Sequence, residues 1–197
     1  MKNIIRNKNC APAPHKMPFI MGYADSHVKM SKYRAIFISE DITKTSATEL
    51  AALLLYHDHI DHETPIQIYI NSVGGDVSAL INIIDIMGFI SAPIHTICVG
   101  KCYSAAAFIL AAGDERYALP NSQIMLHGIQ FAFPLMGEDV ISNKDYFAFI
   151  KNSNDTIIKL LAKYTDQPFD MVKDALSREV WLTAPQACEM GLIDGII

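Results

Sequence analysis

Between Ala35 and His127 the chain alternates short β-branched segments with apolar helical ones, and this alternation limits its fold more than any other feature. Ala35-Ile36-Phe37-Ile38 and the alternating Ile66-Gln67-Ile68-Tyr69-Ile70-Asn71 read as strands. Thr45 or Ser46 is placed to cap a helix running through Glu49 to Tyr56. Gly74-Gly75 turns the chain into a helix from Val77 to about Phe89, and Pro93 to Gly100 is the next strand. The small and apolar residues Ala105 to Ala112 form a helix that stops at Gly113, and Ala118-Leu119-Pro120 leads into a strand over Gln123 to His127. Repeated strand–helix order implies an α/β fold with a largely parallel sheet. Asp139 to Tyr164 reads as one long helix, and Thr183-Ala184-Pro185 as cap and first-turn proline of a last helix ending at Gly191.

Half of the 197 residues are hydrophobic, which suffices for a full core and leaves some apolar surface for contacts between subunits. Residues 1–17 are polar, with Pro12 and Pro14, and read as a flexible tail or propeptide; residues 18–197 read as a single domain. The net charge is −5, with no basic block, which argues against nucleic acid as a partner. The longest apolar run is well short of the ~20 residues that span a bilayer, and no signal-peptide core precedes it, so a soluble cytoplasmic protein is expected. Cys98 and Cys102 form no Cys-x-x-Cys pair and read as small buried hydrophobes.

The chemistry concentrates in three segments. Ser104 stands at the mouth of the apolar helix, where free backbone N–H groups can receive an oxyanion. Asn71-Ser72-Val73-Gly74-Gly75-Asp76 lies upstream and Ile124-Met125-Leu126-His127 downstream. Alone, Ser104 would be a helix cap, His127 a strand-end histidine and Gly74-Gly75 a tight turn. Together they suggest a serine hydrolase, because a serine hydroxyl needs a neighbouring imidazole to take its proton.

Four segments in order resemble the ClpP family, the proteolytic subunit of the Clp protease. They are Asn71-Ser72-Val73-Gly74-Gly75, Gly100 to Ser104, Leu119-Pro120-Asn121-Ser122-Gln123-Ile124-Met125-Leu126-His127, and Leu182-Thr183-Ala184-Pro185-Gln186-Ala187 with Gly191-Leu192-Ile193-Asp194. The resemblance implies a ClpP/crotonase-like fold of repeated ββα units with a protruding handle helix. By position it implies Ser104 as nucleophile, His127 as general base, and the N–H groups of Gly75 and Ala105 as oxyanion hole. Glu179 falls where the family has the aspartate of its triad, and Ser177 replaces the acidic residue before Arg178. Tyr69 and Phe89 match two residues of the family's hydrophobic docking pocket, with Gln67 in place of an aromatic one. Asp76 introduces a charge beside the oxyanion hole, and residues 128–135 keep the alternation of an edge strand able to pair with peptide. The implied partners are further copies in heptameric rings, stacked as a tetradecamer, an AAA+ Clp ATPase, and peptides or unfolded proteins as substrate. No cofactor is implied. The alternative is a catalytically impaired subunit that shapes or regulates a mixed ring.

His57-Asp58-His59-Ile60-Asp61-His62 matches a zinc signature of metallo-β-lactamase-like hydrolases, but it ends a helical run rather than following a strand. It reads as a solvated polar helix end. A crotonase-type acyl-CoA enzyme would share the architecture yet needs no serine nucleophile.

Overall fold

Ile66, Ile68 and Ile70 are wholly buried while Gln67, Tyr69 and Asn71 between them keep contact with solvent, so the period of two becomes strand β2, Ile66–Ser72. The computed structural model describes residues 29–129 and 140–197. The expected tail, residues 1–17, and most of the expected edge strand after His127, residues 130–135, lie outside the described residues. Along the chain run β1 (Ala35–Ile38), α1 (Lys44–Ile60), β2, α2 (Val77–Phe89), β3 (Ile94–Tyr103), α3 (Ala105–Ala111) and β4 (Glu115–Ala118). There follow β5 (Gln123–Leu126), α4 (Val140–Thr165), α5 (Phe169–Ala175), β6 (Val180–Thr183), α6 (Ala184–Glu189) and β7 (Gly195–Ile196).

The strands order as β1-β2-β3-β4-β7 with all neighbours parallel, as the alternation of strands and helices requires. The sheet forks at β3. Its first half pairs with β4 (His95↔Glu115 to Cys98↔Ala118) and its second half with β5 (Lys101↔Gln123 to Tyr103↔Met125). Gly100, at φ +123°, sits at the fork. The buried Ser122 hydroxyl holds the two branches, donating to the Cys98 carbonyl (2.9 Å) and accepting from the Gly100 N–H (3.2 Å). Antiparallel β6 then covers the outer side of β5. The fork carries the end of β3, and with it Ser104, away from β4 and alongside β5.

Helix α3 is buried along its whole length, consistent with a segment that carries no polar face. Ile83, Ile84 and Leu80 of α2 and Leu50 and Leu54 of α1 join the same core. The N-cap of α1 is Thr43, not Thr45 or Ser46; Ser46 is its capping-box partner, with reciprocal bonds of 3.1 and 2.9 Å. Helix α4 enters the core through Ile157, Ile158 and Leu161, while Ala148 and residues 150–156 are exposed or half-buried. The chain's end is tied down by Arg116. Its guanidinium pairs with Asp194 and donates to the carbonyls of Gly191 (3.1 Å) and Tyr164, joining β4, α4 and the C-terminal segment. Cys98 and Cys102 are buried free thiols. Among the described residues no helix is long and apolar enough to cross a membrane.

Candidate active site

The site is built at the turn from β3 into α3. Ser104 adopts φ 52° and ψ −126°, a conformation that costs a side-chain-bearing residue on the order of 1–3 kcal/mol. Such a strained strand-to-helix turn lifts a serine hydroxyl clear of the backbone. The turn is held by the Ser104 N–H, which donates to the Met125 carbonyl at 2.8 Å, and by the Ser104 carbonyl, which accepts from Ala107 at 2.9 Å. The Ser104 hydroxyl makes no capping bond, so its Oγ is not engaged by its own helix. The Ala105 N–H, at the first position of α3, has no carbonyl one turn before it to bond.

Gly74 and Gly75 close the other side. A Cβ on Gly74 would lie 2.6 Å from the Tyr103 carbonyl oxygen and 2.9 Å from both the Ala105 nitrogen and the Ser104 Cβ. Its φ of +95° excludes a side chain independently. Gly75 is at φ +155°, and a Cβ there would sit 2.1 Å from the Ile42 carbonyl oxygen. Ile42 grips the turn from outside, donating to the Gly74 carbonyl and accepting from Asp76, each at 2.8 Å. The Gly74 N–H is taken by the Ser72 hydroxyl at 3.1 Å. The turn therefore packs Gly74 directly against Tyr103, Ser104 and Ala105, with Gly75 next to it held by Ile42. The need for Gly74 at this contact was not legible in the sequence, where the pair reads only as a turn. Asp76 does not stand free beside the site: it caps α2, accepting the Ala79 N–H at 2.7 Å.

His127 follows directly on β5, and Glu179 directly precedes β6. The ladder between these strands ends with Leu126↔Val180, so His127 and Glu179 occupy the next facing positions. The backbone after His127 is clamped: Gly128 donates to the Leu176 carbonyl at 2.9 Å and Ile129 to the Asn154 side chain at 3.1 Å. The topology thus brings Ser104, His127 and Glu179 to one end of β3, β5 and β6. The side chains are not linked in this state. Among the described residues the His127 Nδ1 lies against the Gly128 carbonyl, and neither Ser104 nor Glu179 is hydrogen-bonded to the ring. The exposed Glu179 carboxylate accepts the indole N–H of Trp181 at 3.2 Å instead. Trp181 in turn meets Tyr103 edge to face, with ring centroids 5.1 Å apart.

The expected docking residues lie elsewhere, toward the β1 edge of the sheet. Tyr69 stacks on Phe37 at 5.0 Å and donates to the Gln67 side chain at 2.7 Å, and burial raises its phenol pKa. Phe89, at the end of α2, is 77% exposed. At the histidine-rich end of α1, His59, Ile60 and His62 are exposed, as expected of a solvated helix end, and His57 is the exception. His57 is buried, with Nε2 3.0 Å from the Ser31 hydroxyl, and burial and then the nearby Arg34 cation lower its pKa. Asp58 accepts from the N–H groups of Ser91 and Ala92 at 2.9 and 2.8 Å, and Asp61 from those of Glu63 and Thr64 at 2.9 and 3.1 Å. Each of these side chains is committed to a different structural bond.

The sequence model of the Clp protease family matches residues 22–197. The chain belongs to the Clp protease family. That match includes both glycines, Ser104, His127 and Glu179, and family membership makes the chain a ClpP-like peptidase. Within that span the fork in β3 is what brings the β3–α3 turn to the end of β5.

Proposed function

We propose that this Clp protease family member is a serine endopeptidase that cleaves short peptides or unfolded polypeptides. Ser104 attacks the scissile carbonyl, His127 takes its proton and returns it to the leaving amine, Glu179 orients the imidazole, and the N–H groups of Gly75 and Ala105 hold the oxyanion. The observation that carries this reading is the strained Ser104 turn, at φ 52° and ψ −126°, packed against Gly74 with a hydroxyl that makes no capping bond to its own helix. Cleavage by this arrangement draws on no cofactor.

The assembly goes with the family. We infer heptameric rings paired as a tetradecamer, with α4 as the handle between rings; its residues 150–156, outside the core, support that use. An AAA+ unfoldase would dock over Tyr69 and Phe89, an exchange supported by the exposed Phe89 ring. A cytoplasmic setting suits such a machine. A second reading, a silent subunit of a mixed ring, is favoured by one observation: His127 and Glu179 are each bonded to groups outside the triad.

Hydrolysis of a fluorogenic peptide by the purified protein, beside Ser104→Ala, tests the proposal. Turnover lost in the variant supports the peptidase. No turnover from an assembled ring supports the silent subunit, and mixing with an active paralogue would then be the next step.

A further inference from the structure

The carboxylate that should orient His127 has another partner, and that partner is anchored to the nucleophile's own strand. Glu179 Oε2 accepts from Trp181 Nε1 at 3.2 Å. The Trp181 ring is fixed by its edge-to-face contact with Tyr103, the residue immediately before Ser104. The Tyr103 hydroxyl is fixed in turn, donating to the Gln123 side chain at 2.7 Å. A chain of contacts therefore runs from β5 through Tyr103 and Trp181 to Glu179. Glu179, just before β6, and Trp181 within it are two residues apart, and the indole reaches back over Val180 to the carboxylate. His127, at the facing position of the ladder, meanwhile sets its Nδ1 against the Gly128 carbonyl.

We propose that Trp181 is a positioning residue that competes with His127 for Glu179, braced by Tyr103, and so holds the triad in a resting arrangement. The inference rests on the serine peptidase reading and adds a device to it. Glutamate makes the device workable. Its carboxylate stands one methylene farther from the backbone than an aspartate's, which lets it swing between the indole at position 181 and the imidazole at position 127. No bond is made or broken covalently; one hydrogen bond is exchanged for another. A peptide approaching Ser104 would meet Trp181, which is 55% exposed, together with the Tyr103 ring against it. Displacing the indole releases Glu179 to His127, which couples peptide binding to triad assembly.

Trp181 is the only tryptophan in the chain, so its indole N–H gives one resonance to follow. The test is made on the assembled full-length protein in two parts. In the first, the indole resonance is compared in the wild type and Glu179→Ala. A clear upfield shift is expected on losing the acceptor, and an unmoved resonance overturns the latch whether or not the protein is active. In the second, fluorogenic peptide hydrolysis is measured for Trp181→Phe, which keeps a ring against Tyr103 but has no N–H to donate. A kcat/KM roughly 3- to 10-fold above wild type, gained as a lower KM with kcat near wild type, is expected, because peptide binding no longer has to break this hydrogen bond. Glu179→Gln in the same background should cancel the gain. An unchanged or lowered kcat/KM in Trp181→Phe overturns the proposal, because Trp181 would then be neutral or a support for Glu179. Silence of the wild type and of every variant, with no labelling of Ser104 by a fluorophosphonate, marks failure of the peptidase reading instead.

Discussion

The nucleophile's half of the site and the acid–base half are built by different means. Around Ser104 the geometry is set by backbone: two glycines at positive φ, a strained serine, a ladder bond to Met125 and the grip of Ile42. Around His127 and Glu179 the backbone only brings two facing positions together, and the side chains choose their own partners. The first half is closely packed, with no room for a side chain at its turn: a Cβ on Gly74 would lie within 3 Å of Tyr103, Ser104 and Ala105. The second is not fixed by the backbone, because an exposed glutamate and a half-exposed histidine can rotate at little cost. An active site can thus carry a rigid electrophile-binding half and an adjustable proton-transfer half within one sheet.

The largest expected effect comes from breaking the rigid half. Gly74→Ala should lower stability by about 2–4 kcal/mol and hydrolysis by roughly 100-fold or more, since both its φ and its contacts with Tyr103 and Ser104 forbid a Cβ. Thermal unfolding and peptide turnover on the same preparation would check this. If Gly74→Ala is tolerated, the contrast between the two halves is lost. Glu179→Gln should do the reverse. Its midpoint of unfolding should stay within error of wild type while kcat falls about 10-fold or more through loss of the charge that supports a histidine cation.

Ser104→Gly sharpens the comparison within the rigid half. It removes the nucleophile and therefore abolishes hydrolysis, yet it relieves the positive φ and should raise stability by about 1 kcal/mol. Denaturant midpoints of the two proteins would show it, and a less stable variant would mean that the turn is not strained. The smallest effect concerns a histidine outside both halves. His57 has a folded pKa below its ordinary value, through burial and then Arg34. As pH falls through the ordinary histidine range toward that lowered pKa, the unfolded chain takes up a proton that the folded one does not. Stability contributed by His57 is present above this range and lost below it. The wild type should lose more stability than His57→Gln between neutral and mildly acid pH, by less than about 1 kcal/mol. Equal slopes in urea titrations would leave His57 without a role in the acid response.

Much of the fold was legible because burial writes itself into the residue pattern. The alternation of Ile66, Ile68 and Ile70, the helix from Val77 to Phe89 and the apolar α3 all stand in the structure where their sequence put them. The elements that escaped are short and held by tertiary contacts. Strand β4 is Glu115–Ala118, half of it charged, and it is held by tertiary bonds of Arg116 to Asp194 and to the carbonyls of Tyr164 and Gly191. Strand β7 is Gly195–Ile196 alone, too short for any periodicity to show.

The candidate site divides the same way. Glycines, a serine before an apolar helix and a strand-end histidine are written in residue identity, and all of them lie within the span that matches the Clp protease family. The direction of a Glu179 carboxylate is a rotamer, which no pattern of residue types encodes. Trp181 and Tyr103 carried no signal in sequence because they are far apart along the chain and meet only through the β5–β6 pairing.

The most direct test of the account is covalent labelling of the assembled protein with a fluorophosphonate, followed by mass-spectrometric mapping. The account predicts a single adduct on Ser104 that disappears in His127→Ala and forms more slowly in Glu179→Gln. No adduct, an adduct on another serine, or labelling of Ser104 at the same rate without His127 would contradict it.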